Sequence, residues 1–160
     1  MSESVNKSLV LFFRFAMAWT FLYAGVHQIL NPAFSAAGFL AKTKTFHAFF
    51  ASFAAPGVLP YTNFLVEWGH LLIGLSLLIG LMTRISAAFG IALMIVYYFG
   101  HMDFPFIDDR SNFIMEYHLV YAGVLAYLIA ARAGHVWGLD GWLEKQGFTA
   151  QHPGLRPLLQ

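Results

Sequence analysis

Apolar residues along this chain fall into four long runs separated by connections of unequal length, and each run approaches the length of a bilayer-spanning helix. The first covers about residues 8–30 and is interrupted only by Arg14 and His27. The second covers about 62–82 and holds Glu67 and His70; the third covers about 85–101. The fourth covers about 113–131 and holds Glu116 and His118. The breaks carry stop and turn signals: Asn31-Pro32 after the first run, Thr83-Arg84 between the second and third. So short a turn makes the second and third helices antiparallel neighbours. The pattern predicts an all-α, integral membrane four-helix bundle occupying the whole chain, 1–160, as one domain.

Two further elements are expected at the membrane surface. Within the 31–61 connection, Phe39, Phe46, Phe50 and Phe53 recur at near-helical spacing before Pro56-Gly57, which predicts one interfacial helix folded over the bundle end. Near the C-terminus, Val136 to Lys145 reads as a second interfacial helix anchored by Trp137 and Trp142. The link from Met102 to Asn112 carries Asp103, Asp108, Asp109 and Arg110 and belongs in water.

Composition supports the membrane reading. Hydrophobic residues make up 59% of the chain and charged residues only 11%, against roughly a quarter charged in soluble domains. The net charge is +1 and no Lys/Arg cluster exists, which excludes nucleic acid as a partner. Cysteine is absent, so redox work requires a bound cofactor, a metal on N and O ligands, or a partner subunit. Lys7 precedes an apolar run too long for a signal peptide, which is expected to be a retained span. Six basic residues (Lys7, Arg14, Arg84, Arg132, Lys145, Arg156) fall on one side and three (Lys42, Lys44, Arg110) on the other. The positive-inside rule then places both termini in the cytoplasm.

Ionisable side chains cost ~2.5–3.5 kcal/mol at mid-span, so their positions carry information. Given this topology, His27, Glu67, His70, His101, Glu116 and His118 all fall within roughly 12 Å of the outer rim at ~1.5 Å per residue. They share one layer. Asn63, Glu67 and His70 form a stripe on the second helix, and Tyr97 shares a face with His101. Glu116 and His118, ~200° apart on a helix, are not both expected to point inward, and one of them is expected to meet the loop or a neighbour. For any one of these residues, snorkelling to water or capping a neighbouring helix is the simpler role. Taken together, the layer predicts a polar pocket for a quinone headgroup or a metal. Glu67, His70 and His101 are the candidate catalytic residues and the metal ligands if a metal is present; His27, Asn63, Tyr97, Glu116 and His118 are candidate binding residues. Glu67-Trp68-Gly69-His70 has the Glu-x-x-His spacing of di-iron bundles, but only one copy is present. On the other side, Arg14 is expected to pair with a helix C-terminus or to snorkel to phosphates.

Arg14 with Phe21-Leu22-Tyr23-Ala24-Gly25, then Trp68 to Gly74, Gly80-Leu81, Thr83-Arg84 and finally Trp137-Gly138-Leu139-Asp140, resembles the DoxX/DoxD family over about residues 10–143. The resemblance implies a four-helix protein of the bacterial or archaeal cytoplasmic (inner) membrane. The family includes the DoxD-type subunit of thiosulfate:quinone oxidoreductase, so an oxidoreductase subunit passing electrons to quinone is implied. A non-enzymatic scaffold that docks a redox partner subunit is the alternative, and a homo-oligomer is compatible with either. Two departures stand out: His70 occupies a position where Glu is common, and Gln28 one where Lys is common.

Overall fold

In the computed structural model, which describes residues 3–107, 112–152 and 154, the four apolar runs are helices. Asp108, Asp109, Arg110 and Arg156, which entered the charge argument above, lie outside the described residues. The helices are α1 (Glu3–Ile29), α4 (Leu59–Ile79), α5 (Thr83–His101) and α6 (Tyr117–Ala130). Between α1 and α4 lie two short helices, α2 (Ala37–Leu40) and α3 (His47–Ser52). Three short antiparallel strands join α5 to α6: β1 (Met102–Asp103), β2 (Phe106–Ile107) and β3 (Asn112–Phe113), paired in chain order. The tail contains a 3₁₀ turn (Ala133–His135), α7 (Leu139–Lys145) and α8 (Phe148–Gln151). Helices α1, α4 and α5 are long and apolar enough to cross a membrane, whereas α6 is apolar but only 14 residues long. The chain is a multi-pass membrane protein.

The four long helices close a ring in which α1 packs tightly on α4 and α5 on α6, while α4 meets α5 and α6 meets α1 more loosely. Glycine sets the tight α1–α4 contact. A Cβ at Gly25 would stand 2.5 Å from the Leu71 backbone nitrogen, and one at Gly74 2.6 Å from that of Leu22. These crossed pairings show that the two helices run antiparallel with their backbones in contact, the geometry that small residues permit in a bilayer. Val10, Phe21, Leu77, Leu125 and Leu128 fill the centre.

Three expectations need correction. The 31–61 connection is not one helix: the Thr43 hydroxyl donates to the Leu40 carbonyl and Phe46 takes a left-handed φ of 55°, which breaks it into α2 and α3. Phe113 belongs to a strand and Ile114 has φ 65°, so α6 starts at Tyr117 and not near 113. The small sheet itself was not anticipated in an all-α reading.

At the end of the ring remote from α2 and α3, Arg14 is buried to 1% exposure. Its Nη1 donates to the carbonyls of Ala133 (2.7 Å) and Val136 (2.8 Å), and its Nη2 donates to that of Trp137 (3.4 Å). The guanidinium thus binds the tail instead of snorkelling. Asp140, 2% exposed, accepts from the backbone N–H groups of Met82 (2.7 Å) and Thr83 (3.1 Å). It caps the N-terminus of α5, which has no local side-chain cap. The Asp140 N–H in turn donates to the Gly80 carbonyl at 2.9 Å. Gly80 (φ 70°) and Gly138 face each other beneath Arg14: a Cβ at Gly80 would lie 2.7 Å from Gly138 Cα and 3.0 Å from Arg14 Nη1.

Two outcomes follow for stability in detergent, measured by circular dichroism melts or SDS titration. Gly25→Val should cost about 2 kcal/mol or more by forcing α1 off α4, whereas Gly69→Ala, with nothing within 4 Å of its added Cβ, should stay within about 0.5 kcal/mol of wild type. Arg14→Leu, which strips three carbonyls of their donor, should cost about 3 kcal/mol or more.

Candidate functional site

The looser contacts between the two tight helix pairs leave a cavity of about 620 Å³ at the end covered by α2 and α3. All four long helices line it, through Phe21, Ala24 and Gln28 of α1, Val66 and His70 of α4, Tyr97 and His101 of α5, and His118 and Tyr121 of α6. Phe39, Phe49, Phe50 and Phe53 roof it. The roof is fixed at several points. Asn63 Oδ1 accepts from the Ala36 N–H at 2.9 Å, and the Thr62 hydroxyl donates to the Phe53 carbonyl at 3.0 Å. Thr45 is bound to Met102 through both its N–H and its hydroxyl. Several lining residues are nonetheless exposed, Leu65 at 68% and Tyr117 at 54% among them, so the cavity is not sealed from the surroundings of the helices.

One wall concentrates the polar groups. The His70 and Tyr97 rings stack at 5.7 Å, with the Tyr97 hydroxyl 3.4 Å from His70 Nε2. Tyr97 meets the His118 ring edge-on at 5.6 Å, and His118 stacks on His101 at 5.1 Å. Each of the three imidazoles is oriented through Nδ1. That of His70 donates to the Val66 carbonyl (2.7 Å), that of His101 to the Tyr97 carbonyl (2.9 Å) and that of His118 to the Glu116 carboxylate (2.8 Å). A carbonyl oxygen can only accept, so Nδ1 carries the hydrogen in His70 and His101, and Nε2 of the neutral ring is left as an acceptor. Gln28 adds a buried Oε1 with no hydrogen-bond partner.

Of the candidate residues, the fold brings together His70, Tyr97, His101 and His118, with Glu116 buried behind His118. Only His118 of this pair lines the cavity, and Glu116 meets it from behind, an arrangement set by the helix boundary and not by the helical angle. Glu116 is extended (φ −147°), stands ahead of the helix as its N-cap, and accepts from the His118 N–H at 2.9 Å. Asn63 holds the roof and does not line the cavity. His27 is exposed and stacks on Tyr23 at 6.0 Å, outside the cavity. Glu67 is half-buried on α4 but is not part of the lining. Among the described residues no three His, Asp or Glu side chains stand close enough to hold a metal ion, so Glu67, His70 and His101 are not assembled as a ligand set. Sequence reasoning noted Gln28 only as a departure from the family pattern and placed Phe39 over the bundle end without assigning either to the cavity lining. Tyr117 and Tyr121, which carry no sequence signal of a site, also line the cavity.

A family model described as DoxX matches residues 9–102, from the first helix to the end of α5. The match stops short of Trp137 to Asp140, where the sequence resemblance also pointed. Among curated proteins and solved structures, none matches the chain.

Glu116→Ala should cost about 1 kcal/mol through loss of the α6 cap and also free His118 Nδ1. Nitrogen-15 NMR of labelled histidine should then show a changed His118 tautomer, with the signals of His70 remaining in the Nδ1–H form.

Proposed function

The chain belongs to the DoxX family, and we propose that it is a membrane redox subunit whose cavity takes a quinone headgroup. The observation that carries this reading is the pairing of an apolar, partly open cavity with a single polar wall of His70, Tyr97, His101 and His118. An isoprenoid-like tail suits the exposed aliphatic and aromatic rim, and a ring with two oxygens suits the wall. The proposal places the cavity near the outer face, with both termini in the cytoplasm of a bacterial or archaeal cell. Helix α6, about 21 Å long at 1.5 Å per residue, completes a fourth crossing together with its flanking segments. In the same reading α2, α3 and α7 lie at the interfaces.

The residues present fit such a ligand. The Tyr97 hydroxyl donates to a quinone oxygen, and the Nε2 atoms of His70 and His118 accept from a hydroxyl. The aromatic rings of Phe39, Tyr97 and His101 give the headgroup flat surfaces to lie against. A bound quinone supplies two-electron chemistry with uptake of two protons. The roof and the apolar walls exclude water from the headgroup, and the Nδ1 anchors hold each imidazole with Nε2 available. The electron donor, in this reading, is a partner subunit.

The test is quinone binding in lipid nanodiscs, by organic extraction of the purified protein and by titration with a short-chain benzoquinone. Wild-type protein should bind one equivalent, and His70→Ala and Tyr97→Phe should each weaken binding about tenfold, near 1.4 kcal/mol. A wild-type protein that neither retains nor binds quinone would sink the reading and favour a scaffold that docks a redox partner.

A further inference from the structure

Phe39 and His101 line a second hollow as well. It measures about 140 Å³, and its remaining walls are Lys42, Lys44, Gly100, Met102 and Asp103. Charged side chains line this hollow, where the walls of the large cavity are almost wholly apolar. Lys44 Nζ donates to Asp103 Oδ2 at 2.8 Å across its mouth, with 63% and 35% of the two side chains exposed. The Phe39 ring is seated on Gly100, where any Cβ would overlap it, and its centroid lies 5.0 Å from that of His101. The two side chains therefore form the partition between the cavity and an aqueous cleft.

We propose that His101 is the proton relay between that cleft and a ligand in the cavity, with Phe39 as the plug that keeps water itself out. The proposal rests on the quinone reading of the cavity. Of the two residues common to both hollows, only His101 can carry a proton, and an imidazole does so near neutral pH. Its Nδ1 is committed to the Tyr97 carbonyl, so Nε2 is the atom that takes a proton from cleft water and yields it to the ligand oxygen after a swing of the ring. The groups facing it are known from every side. His118 is stacked on it with Glu116 behind, Tyr97 lies one turn back on α5, and Lys42, Lys44 and Asp103 stand across the cleft. No covalent bond other than those to the travelling proton forms or breaks; the swing releases the Nδ1 hydrogen bond to the Tyr97 carbonyl, and the return remakes it.

The relay can be separated from a structural role by chemical rescue. Wild-type, His101→Ala and His101→Gln proteins in nanodiscs on an electrode would be loaded with decylbenzoquinone. The rate of its proton-coupled reduction would then be followed by film voltammetry, with electrons from the electrode and protons from the buffer. Reduction should be about a hundredfold slower in His101→Ala, and imidazole added to the buffer should restore most of the rate by entering through the cleft. His101→Gln, which fills the gap, should be equally slow and not rescued; it also serves if the alanine variant does not fold. An unchanged rate in the variants, or a loss in His101→Ala that imidazole does not restore, overturns the relay while leaving the quinone site standing. A wild-type protein that binds no decylbenzoquinone overturns both.

Discussion

A guanidinium withdrawn from water inside a bilayer must find acceptors, and the fold is organised around that requirement. Arg14 sits within the first membrane helix, and its nearest acceptors are three carbonyls from a tail more than a hundred residues later. To reach it, the tail bends through left-handed residues at Arg132 and Trp137. Trp137 turns its carbonyl inward while its side chain stays 86% exposed. Asp140 then closes the same knot from the opposite side by capping α5. One arginine and one aspartate thereby tie the first helix, the α4–α5 turn and the C-terminal segment into one unit. Gly80 and Gly138 are small because the guanidinium and the two backbones converge on the same space.

That knot lets the opposite end of the ring be open. With α1 locked to α4 by glycine contacts and α5 packed on α6, the looser seams between the pairs part toward the roof without costing either pair its packing. The three histidines collected there are each held by a backbone carbonyl or a carboxylate, so they are oriented before any ligand arrives. Preset orientation of this kind lowers the ordering cost of binding.

The sequence made the helices, the membrane class and the existence of a polar layer legible, because apolar run length and the cost of buried charge both act locally. It was less informative wherever the answer depended on distant chain. The residues of the family-like motifs, Arg14, Gly80, Thr83, Gly138 and Asp140, are all recognisable in order. Nothing in their spacing says that they touch. Glu116 was placed within the fourth helix because no Pro or Gly announces the break before Tyr117; a non-glycine residue, Ile114, takes the left-handed turn instead. Asn63 and His70 do lie on one stripe of α4, yet one fastens the roof and the other lines the cavity, since the roof reaches only the first turns of that helix. His27 shares the depth of the cluster but faces away from it, and depth along a helix fixes height, not direction.

Entry past exposed lining residues such as Leu65 and Tyr117, beneath a roof bolted to α4 and β1, would change what an affinity means for this protein. A ligand that arrives through such a gap is drawn from the lipid, where its abundance is a mole fraction set by partitioning. A dissociation constant in molar units would then drift with the amount of lipid in the sample, although nothing at the site had altered. Occupancy would follow the ratio of ligand to phospholipid in the surrounding bilayer, so two membranes with equal bulk concentrations can fill the cavity to different extents.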